Sequence, residues 1–197
     1  MTGLSWSADR EEGLVVGSSE ERIRAAHVGA APRLAGRVVL VEHDPAWAGL
    51  YEREAARIRG ALGDLVLGLE HVGSTSVPGL AAKPIVDVVL AVADSADEPS
   101  YVPALEAAGY VLRIREPEWF EHRMFKGPDT DVNLHVFTAG EPEVARMVAF
   151  RDRLRVSEAD RVLYERTKRE LAAREWTYLQ QYADAKAGVV ADILGRA

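Results

Sequence analysis

Between residues 45 and 62 the apolar positions Trp47, Leu50, Tyr51, Ala55, Ile58 and Leu62 recur at three- and four-residue intervals. That spacing predicts a helix laying one stripe on a sheet, with Asp44 as its capping acid and Pro45 at its first position. Other segments follow strand rules. Arg37–Val41 is short and β-branched, Leu65–Val72 is mixed, and Pro84–Val92 is almost wholly apolar, as expected for a strand covered on both faces. Tyr101–Ala108 suits a helix closed by Gly109, and strands are expected at Tyr110–Arg115, Phe120–Lys126 and Val132–Phe137, with turn residues Gly127, Pro128 and Asp129 before the last. From Pro142 the period turns helical, over about 142–155, 158–174 and 177–194.

Strands first and helices last is an α+β layout: a sheet flanked by helices, with a C-terminal helical segment. Residues 1–36 read as an N-terminal extension to a domain spanning 37–197. In the extension, Ser18 and Glu21 match a capping box, Ile23, Ala26 and His27 share a face, and Gly29–Arg33 is rich in breakers. His27 is expected to pack rather than ligate.

The chain has 197 residues, 48% hydrophobic, with a formal charge of −7. One core is affordable at this length, and the acidic balance argues against coating nucleic acid or an anionic membrane. There is no cysteine, which removes disulfides, thiolate nucleophiles and Cys-ligated metals. No apolar run is long enough to span a bilayer, and Asp9–Glu12 stands where a signal peptide needs an apolar core, so a cytoplasmic protein is expected. Lysine and histidine are scarce, four lysines and five histidines, so each one in an unusual setting carries information.

The setting that stands out is Glu70-His-Val-Gly-Ser-Thr-Ser-Val-Pro-Gly79 followed by Lys83-Pro-Ile-Val-Asp87. A Gly73-Ser74-Thr75-Ser76 turn leaving a strand offers N–H groups and hydroxyls with little bulk, which suits a phosphate; it equally suits a plain structural turn. The P-loop spacing is absent. Asp87 lies inside an apolar strand, where a carboxylate needs a cation, a metal or strong donors. A salt bridge to Lys83 or an arginine and a site role both satisfy that need.

These motifs, with Asp44-Pro-x-Trp47 before them and Asn133-Leu-His-Val136 and Phe150-Arg-Asp152 after them, resemble the GrpB-like family over about residues 37–197. The resemblance implies a nucleotidyltransferase-superfamily fold, a mixed sheet flanked by helices, and a relation to domains fused after dephospho-CoA kinase in some bacteria. The superfamily pattern is Gly-Ser followed by a strand carrying two carboxylates at alternating positions, with a third on a later strand. Here Val72-Gly73-Ser74 and Asp87 match, but Val89 stands at the second carboxylate position. His135 falls on the comparable later strand, where Asn133, His135 and Phe137 alternate to one face.

The candidate catalytic residues are therefore Asp87, His135 and Lys83. Gly73, Ser74, Thr75, Ser76, Lys168, Arg123 and Arg151 are candidates for holding a ligand phosphate, with His122 an alternative to Arg123. His71, Asp87 and His135 would form a His₂-Asp metal set, suited to zinc, manganese or iron(II) better than to magnesium. General acid/base work by a histidine and plain core hydrogen bonding remain the rival uses. The cofactors expected are a divalent metal (Mg, Mn or Zn) and a nucleotide as substrate or ligand. Two functions follow: binding of a nucleotide or phosphorylated small molecule, with nucleotidyl transfer to a small molecule, or a catalytically degenerate domain acting as a binding or folding partner. A protein partner is compatible with both; nucleic acid and membrane are not expected.

Overall fold

The computed structural model describes residues 19–196. Helix α1 (Glu20–Ala26) is followed by the long helix α2 (Ala46–Leu62), strand β1 (Gly68–Val72), a 3₁₀ turn (Ser74–Ser76) and strand β2 (Val86–Val92). Helix α3 (Glu98–Ala107), strands β3 (Val111–Glu116), β4 (His122–Lys126) and β5 (Val132–Thr138), and helices α4 (Pro142–Val156), α5 (Glu158–Ala172), α6 (Leu179–Asp184) and α7 (Ala187–Leu194) complete the chain. The five strands form one mixed sheet in the order β1-β2-β5-β4-β3, antiparallel except for the central β2–β5 pair. This is the mixed α+β architecture expected. No helix of the described residues is long and apolar enough to cross a membrane.

Strand alternation divides the sheet into two faces. Val86, Val88, Leu90 and Val92 of β2, with Val132, Leu134 and Val136 of β5, point to a core closed by Ala55, Ile58 and Leu62 of α2 and Tyr101 and Leu105 of α3. The intervening residues Asp87, Val89, Asn133, His135 and Phe137 point the other way, toward the C-terminal helices. There Val72, Val89 and Phe137 pack on Val144, Met147 and Val148 of α4, while Val77, Leu80, Leu154, Tyr164 and Ile193 form a second cluster joining the 73–80 segment to α4, α5 and α7. The site lies at the end of the sheet where α4 stops covering it.

Three expectations are corrected. Residues 37–41 form no strand; only Val41 bridges Ala82, and Val38 is buried against Leu171 and Tyr182 of the helices. Their β-branched character serves packing, which is what strand propensity chiefly measures. The helix expected over 177–194 is broken into α6 and α7 at Ala185–Lys186. The cap of α1 is Ser19, whose hydroxyl accepts from the Arg22 N–H; Ser18, assigned that role from the capping-box pattern, lies outside the described residues. Asp44 caps α2 as expected in kind, accepting from the Ala46 N–H at 2.8 Å.

Segment 19–36 docks on the body at β3 and at residues 177–178. Val28 N–H donates to the Arg113 carbonyl of β3, Leu34 N–H donates to the Thr177 carbonyl, and His27 packs at the end of α1, its Nδ1 2.7 Å from the Ile23 carbonyl.

Candidate functional site

Gly73 begins the site. Its backbone (φ 69°, ψ −177°) is in a region open essentially to glycine alone, and a Cβ there would lie 2.4 Å from Asp87 Oδ2. The turn thus presses its main chain against the carboxylate of the neighbouring strand, at the register pair Val72–Asp87. Two of its three hydroxyls face inward. Ser76 Oγ donates to the Gly73 carbonyl at 2.6 Å and Thr75 Oγ1 to the Ile85 carbonyl at 3.1 Å, so both are structural, which corrects their assignment as ligand contacts. Ser74 remains, with Tyr164 of α5 as its side-chain partner. Arg155 of α4 clamps the turn by donating to the Ser76 carbonyl at 2.9 and 3.1 Å.

Asp87 is 29% exposed. Its Oδ1 accepts from the Asn133 amide at 2.8 Å and lies 3.7 Å from His135 Nε2. Burial pushes the Asp87 carboxyl up, but His135, Lys83 and Asn133 favour the ion and hold it below its ordinary value. The parallel register pairs Asp87 with Asn133 and Val89 with His135, so the structure brings the expected Asp/His pair together across two strands.

His71 does not join them. It pairs with Val88, on the opposite face, where its ring stacks on Tyr51 at 4.8 Å and its Nε2 meets Thr75 Oγ1 at 3.1 Å. Since the Thr75 proton is committed to Ile85, His71 donates and is neutral; burial pushes it down to about 4. A one-residue offset on a strand reverses the face, and this removes His71 from the expected metal set. Among the described residues no three His, Asp or Glu side chains stand close enough to hold a metal ion. Val89, 1% exposed and packed under α4, leaves no carboxylate to complete a two-metal clamp. The residues present do not fit the divalent metal that the superfamily resemblance implies.

Lysines converge here instead. Lys168, 2% exposed, donates to the Ala81 carbonyl and lies 4.9 Å over the Tyr164 ring. Lys83 and Lys186 lie over the Tyr182 ring, 5.6 and 4.9 Å from its centre, and among the described residues neither ammonium makes a hydrogen bond or ion pair. Burial depresses all three, helped for Lys83 and Lys168 by repulsion from neighbouring lysines: Lys83 falls to about 8, Lys168 to about 7, and Lys186 is lowered, with Asp87 opposing the trend for Lys83 and Lys186 and Asp184 also opposing it for Lys186. Below them the Tyr182 hydroxyl is buried without a partner among the described residues.

A second row of polar groups approaches from β3 and β4. Glu116 Oε2 is 2.7 Å from His122 Nδ1, and His122 Nε2 is 3.0 Å from His135 Nδ1. His122 is 3% exposed, wedged against Trp119 and Phe137, and burial pushes it down to about 4.

Neither arginine proposed for phosphate is available, a second correction. Arg123 is buried and donates to Glu98 at 2.6 Å and to Glu121 at 3.2 Å. Arg151 forks onto Asp152 at 2.8 and 3.2 Å and reaches Glu70 Oε2 and the His71 carbonyl, tying α4 to β1. Sequence reasoning missed Lys186, Tyr182 and Glu116. The rarity of lysine was a usable signal for the first; the other two look like ordinary helix and strand residues.

The GrpB protein family profile matches residues 37–196. A UPF0157 protein of Halalkalibacterium halodurans is 56% identical over 179 residues, 91% of this chain and 92% of that protein. A dephospho-CoA kinase of Mycobacterium leprae is 28% identical over 190 residues, but those cover only 46% of its length. The crystal structure of the conserved protein GrpB from Enterococcus faecalis superposes with a TM-score of 0.69 at 29% identity, covering 80% of this chain and 98% of that one. On this match, which takes in the Gly73 turn, Asp87, His135 and the lysine-bearing helices, the chain belongs to the GrpB family.

Proposed function

We propose that this protein binds a phosphorylated small molecule, nucleotides among them, where Lys83, Lys168 and Lys186 gather beside the Gly73–Ser76 turn. The observation that carries the reading is the pair of ammoniums on Lys83 and Lys186, which among the described residues make no hydrogen bond or close ion pair and lie near Lys168. Asp87 bears on both Lys83 and Lys186, Asp131 on Lys83, Asp184 on Lys186 and Glu165 on Lys168, yet burial still holds all three lysines below their ordinary value. Partly buried positive charge of this density costs stability unless an anion completes it. Ser74 and Tyr164 add hydroxyls beside the lysines, and Tyr182 an unpartnered one.

Val89 favours binding, or chemistry without a two-metal clamp, over metal-dependent nucleotidyl transfer. Thermal unfolding with ATP, CTP, GTP, UTP and coenzyme A, with and without magnesium or manganese, tests this. A ligand at one hundred times its Kd stabilises by about 2.7 kcal/mol, a rise of several degrees for a domain of this size. At least one ligand is expected to produce it, undiminished by chelator and lost in Lys83→Met. No shift with any of them at millimolar concentration overturns the proposal.

A further inference from the structure

We propose that Glu116 and His122 are positioning residues that hold His135 with its proton on Nδ1, so that Nε2 faces Asp87 as a proton acceptor for a hydroxyl carried by the bound phosphate ligand. The argument is one of proton counting along a row. Glu116, a carboxylate, can only accept, so His122 Nδ1 donates across the 2.7 Å contact. A buried, neutral His122 then has no proton on Nε2, which must accept across 3.0 Å from His135 Nδ1. The two rings are nearly parallel and stacked, tilted by 18° with centres 5.2 Å apart, and their facing nitrogens stand at hydrogen-bond distance.

With its proton on Nδ1, neutral His135 offers a lone pair on Nε2, 3.7 Å from Asp87 Oδ1. In the uncharged form of His135 two acceptors thus face each other at a separation longer than a hydrogen bond, an arrangement that calls for a donor between them, whereas the protonated form pairs with Asp87 directly. The charged groups around His135 are Asp87 from β2, His122 from β4 and Glu143 from α4, whose carboxyl is occupied by Arg146 at 2.9 Å. None of them supplies a proton to Nε2. A ligand hydroxyl placed there would donate its hydrogen bond to Nε2; were its oxygen to attack an electrophile, the proton would pass to Nε2 as the O–H electron pair forms the new bond, and the imidazolium would pair with ionised Asp87. His122 and Glu116 would stabilise that cation without touching the ligand.

This inference rests on the phosphate reading for the ligand's class but not for the tautomer, so the experiment has two arms. The full chain, labelled with ¹⁵N-histidine and treated with chelator, is examined by long-range ¹H–¹⁵N spectroscopy. His135 is expected to carry its proton on Nδ1 in the wild type, to move toward the Nε2–H form in His122→Phe and Glu116→Ala, and to be restored in Glu116→Gln, whose amide oxygen still accepts. A wild-type Nε2–H tautomer, or one unmoved in folded Glu116→Ala, overturns the positioning role. Calorimetry with glycerol 3-phosphate and methyl phosphate forms the second arm. The hydroxyl is expected to tighten binding about tenfold or more, the worth of one charge-assisted hydrogen bond, and His135→Phe to erase the difference. Equal binding overturns the hydroxyl acceptor while leaving the phosphate site intact; binding of neither overturns both, with the tautomer decided by the spectra alone.

Discussion

Toward α2 and α3 the sheet presents Val88, Leu90, Leu134 and Val136, all fully buried, and the one imidazole it admits there, His71, is stacked and hydrogen-bonded. Toward the C-terminal helices the alternate residues of the same strands present Asp87, Asn133 and His135, half-buried, near Lys83 and Lys186, whose ammoniums make no hydrogen bond or close ion pair among the described residues. Strand β2 alone supplies both. The difference lies in how polar groups are held: among the described residues the first face pairs its buried polar groups apart from Glu54 Oε1, while the second keeps ionisable groups part-exposed beside ammoniums that make no hydrogen bond. The contrast is also confined along the strand, since two residues beyond Asp87 the same face is closed by α4 over Val89.

That boundary gives the largest predicted effect. Val89→Asp would recreate the superfamily's second carboxylate, yet it would bury an unpaired charge among Val72, Phe137 and Met147. A loss of about 4 kcal/mol or more is expected in urea unfolding, with no gain of magnesium binding. A stable variant would show that the polar zone extends further than the packing implies.

Acidification probes both faces together. His71 and His122 are each pushed down to about 4, below the ordinary 6.5, so the unfolded chain binds more protons between those values. Stability is therefore full above pH 6.5 and falls as the pH drops toward 4, by about 4 kcal/mol for the two together at pH 5. His71→Gln and His122→Gln should each remove about half of that pH dependence. Only the second should alter the response to phosphate ligands.

Gly73→Ala sharpens the comparison at the turn. Glycine-only backbone and a Cβ pressed on Asp87 Oδ2 should cost about 2–3 kcal/mol. Because the clash falls on the site carboxylate, ligand-induced stabilisation should be lost as well, whereas Leu134→Ala on the other face should destabilise and leave the ligand response unchanged.

Much of this was legible in the chain, and the reasons differ by residue. Asp87 declared itself because a carboxylate in Ile85–Val92 breaks an apolar run, and Gly73 because a Gly-Ser-Thr-Ser turn follows a strand. The α2 stripe and the alternation of β5 follow directly from period. His71 was misplaced because its face depends on register, which sequence spacing alone does not fix. Thr75 and Ser76 were credited with ligand contacts because composition reports hydroxyls but not which carbonyls they find. Arg123 and Arg151 were likewise misread, since a guanidinium suited to phosphate is equally suited to the glutamates and aspartate that hold them. Lys186 was hidden by the reading of 177–194 as one helix: the break at Ala185–Lys186, where the Lys186 ammonium lies over the Tyr182 ring, has neither glycine nor proline at it.

The smallest predicted effect has the opposite sign, which makes it the most discriminating. Lys186→Met removes a desolvated ammonium that makes no hydrogen bond and keeps an apolar stem on the Tyr182 ring. On a face built for folding, deleting a buried polar group destabilises; here a gain of about 1 kcal/mol at pH 7 is expected, together with loss of ligand-induced stabilisation. The wild type should show the same effect through pH. Because the lysines are depressed below their ordinary 10.5, with Lys168 at about 7 and Lys83 at about 8, the unfolded chain binds more protons above pH 7, and the ligand-free protein gains stability as the pH rises from 7 to 9. Lys186→Met alters that gain from two directions, removing its own share and relieving the repulsion that depresses Lys168 and Lys83, so its pH profile should be flatter than the wild type's. If the variant instead loses stability at pH 7, with an unchanged slope, the ammonium is a structural group with a partner of its own, and the two faces of the sheet are more alike than their side chains indicate.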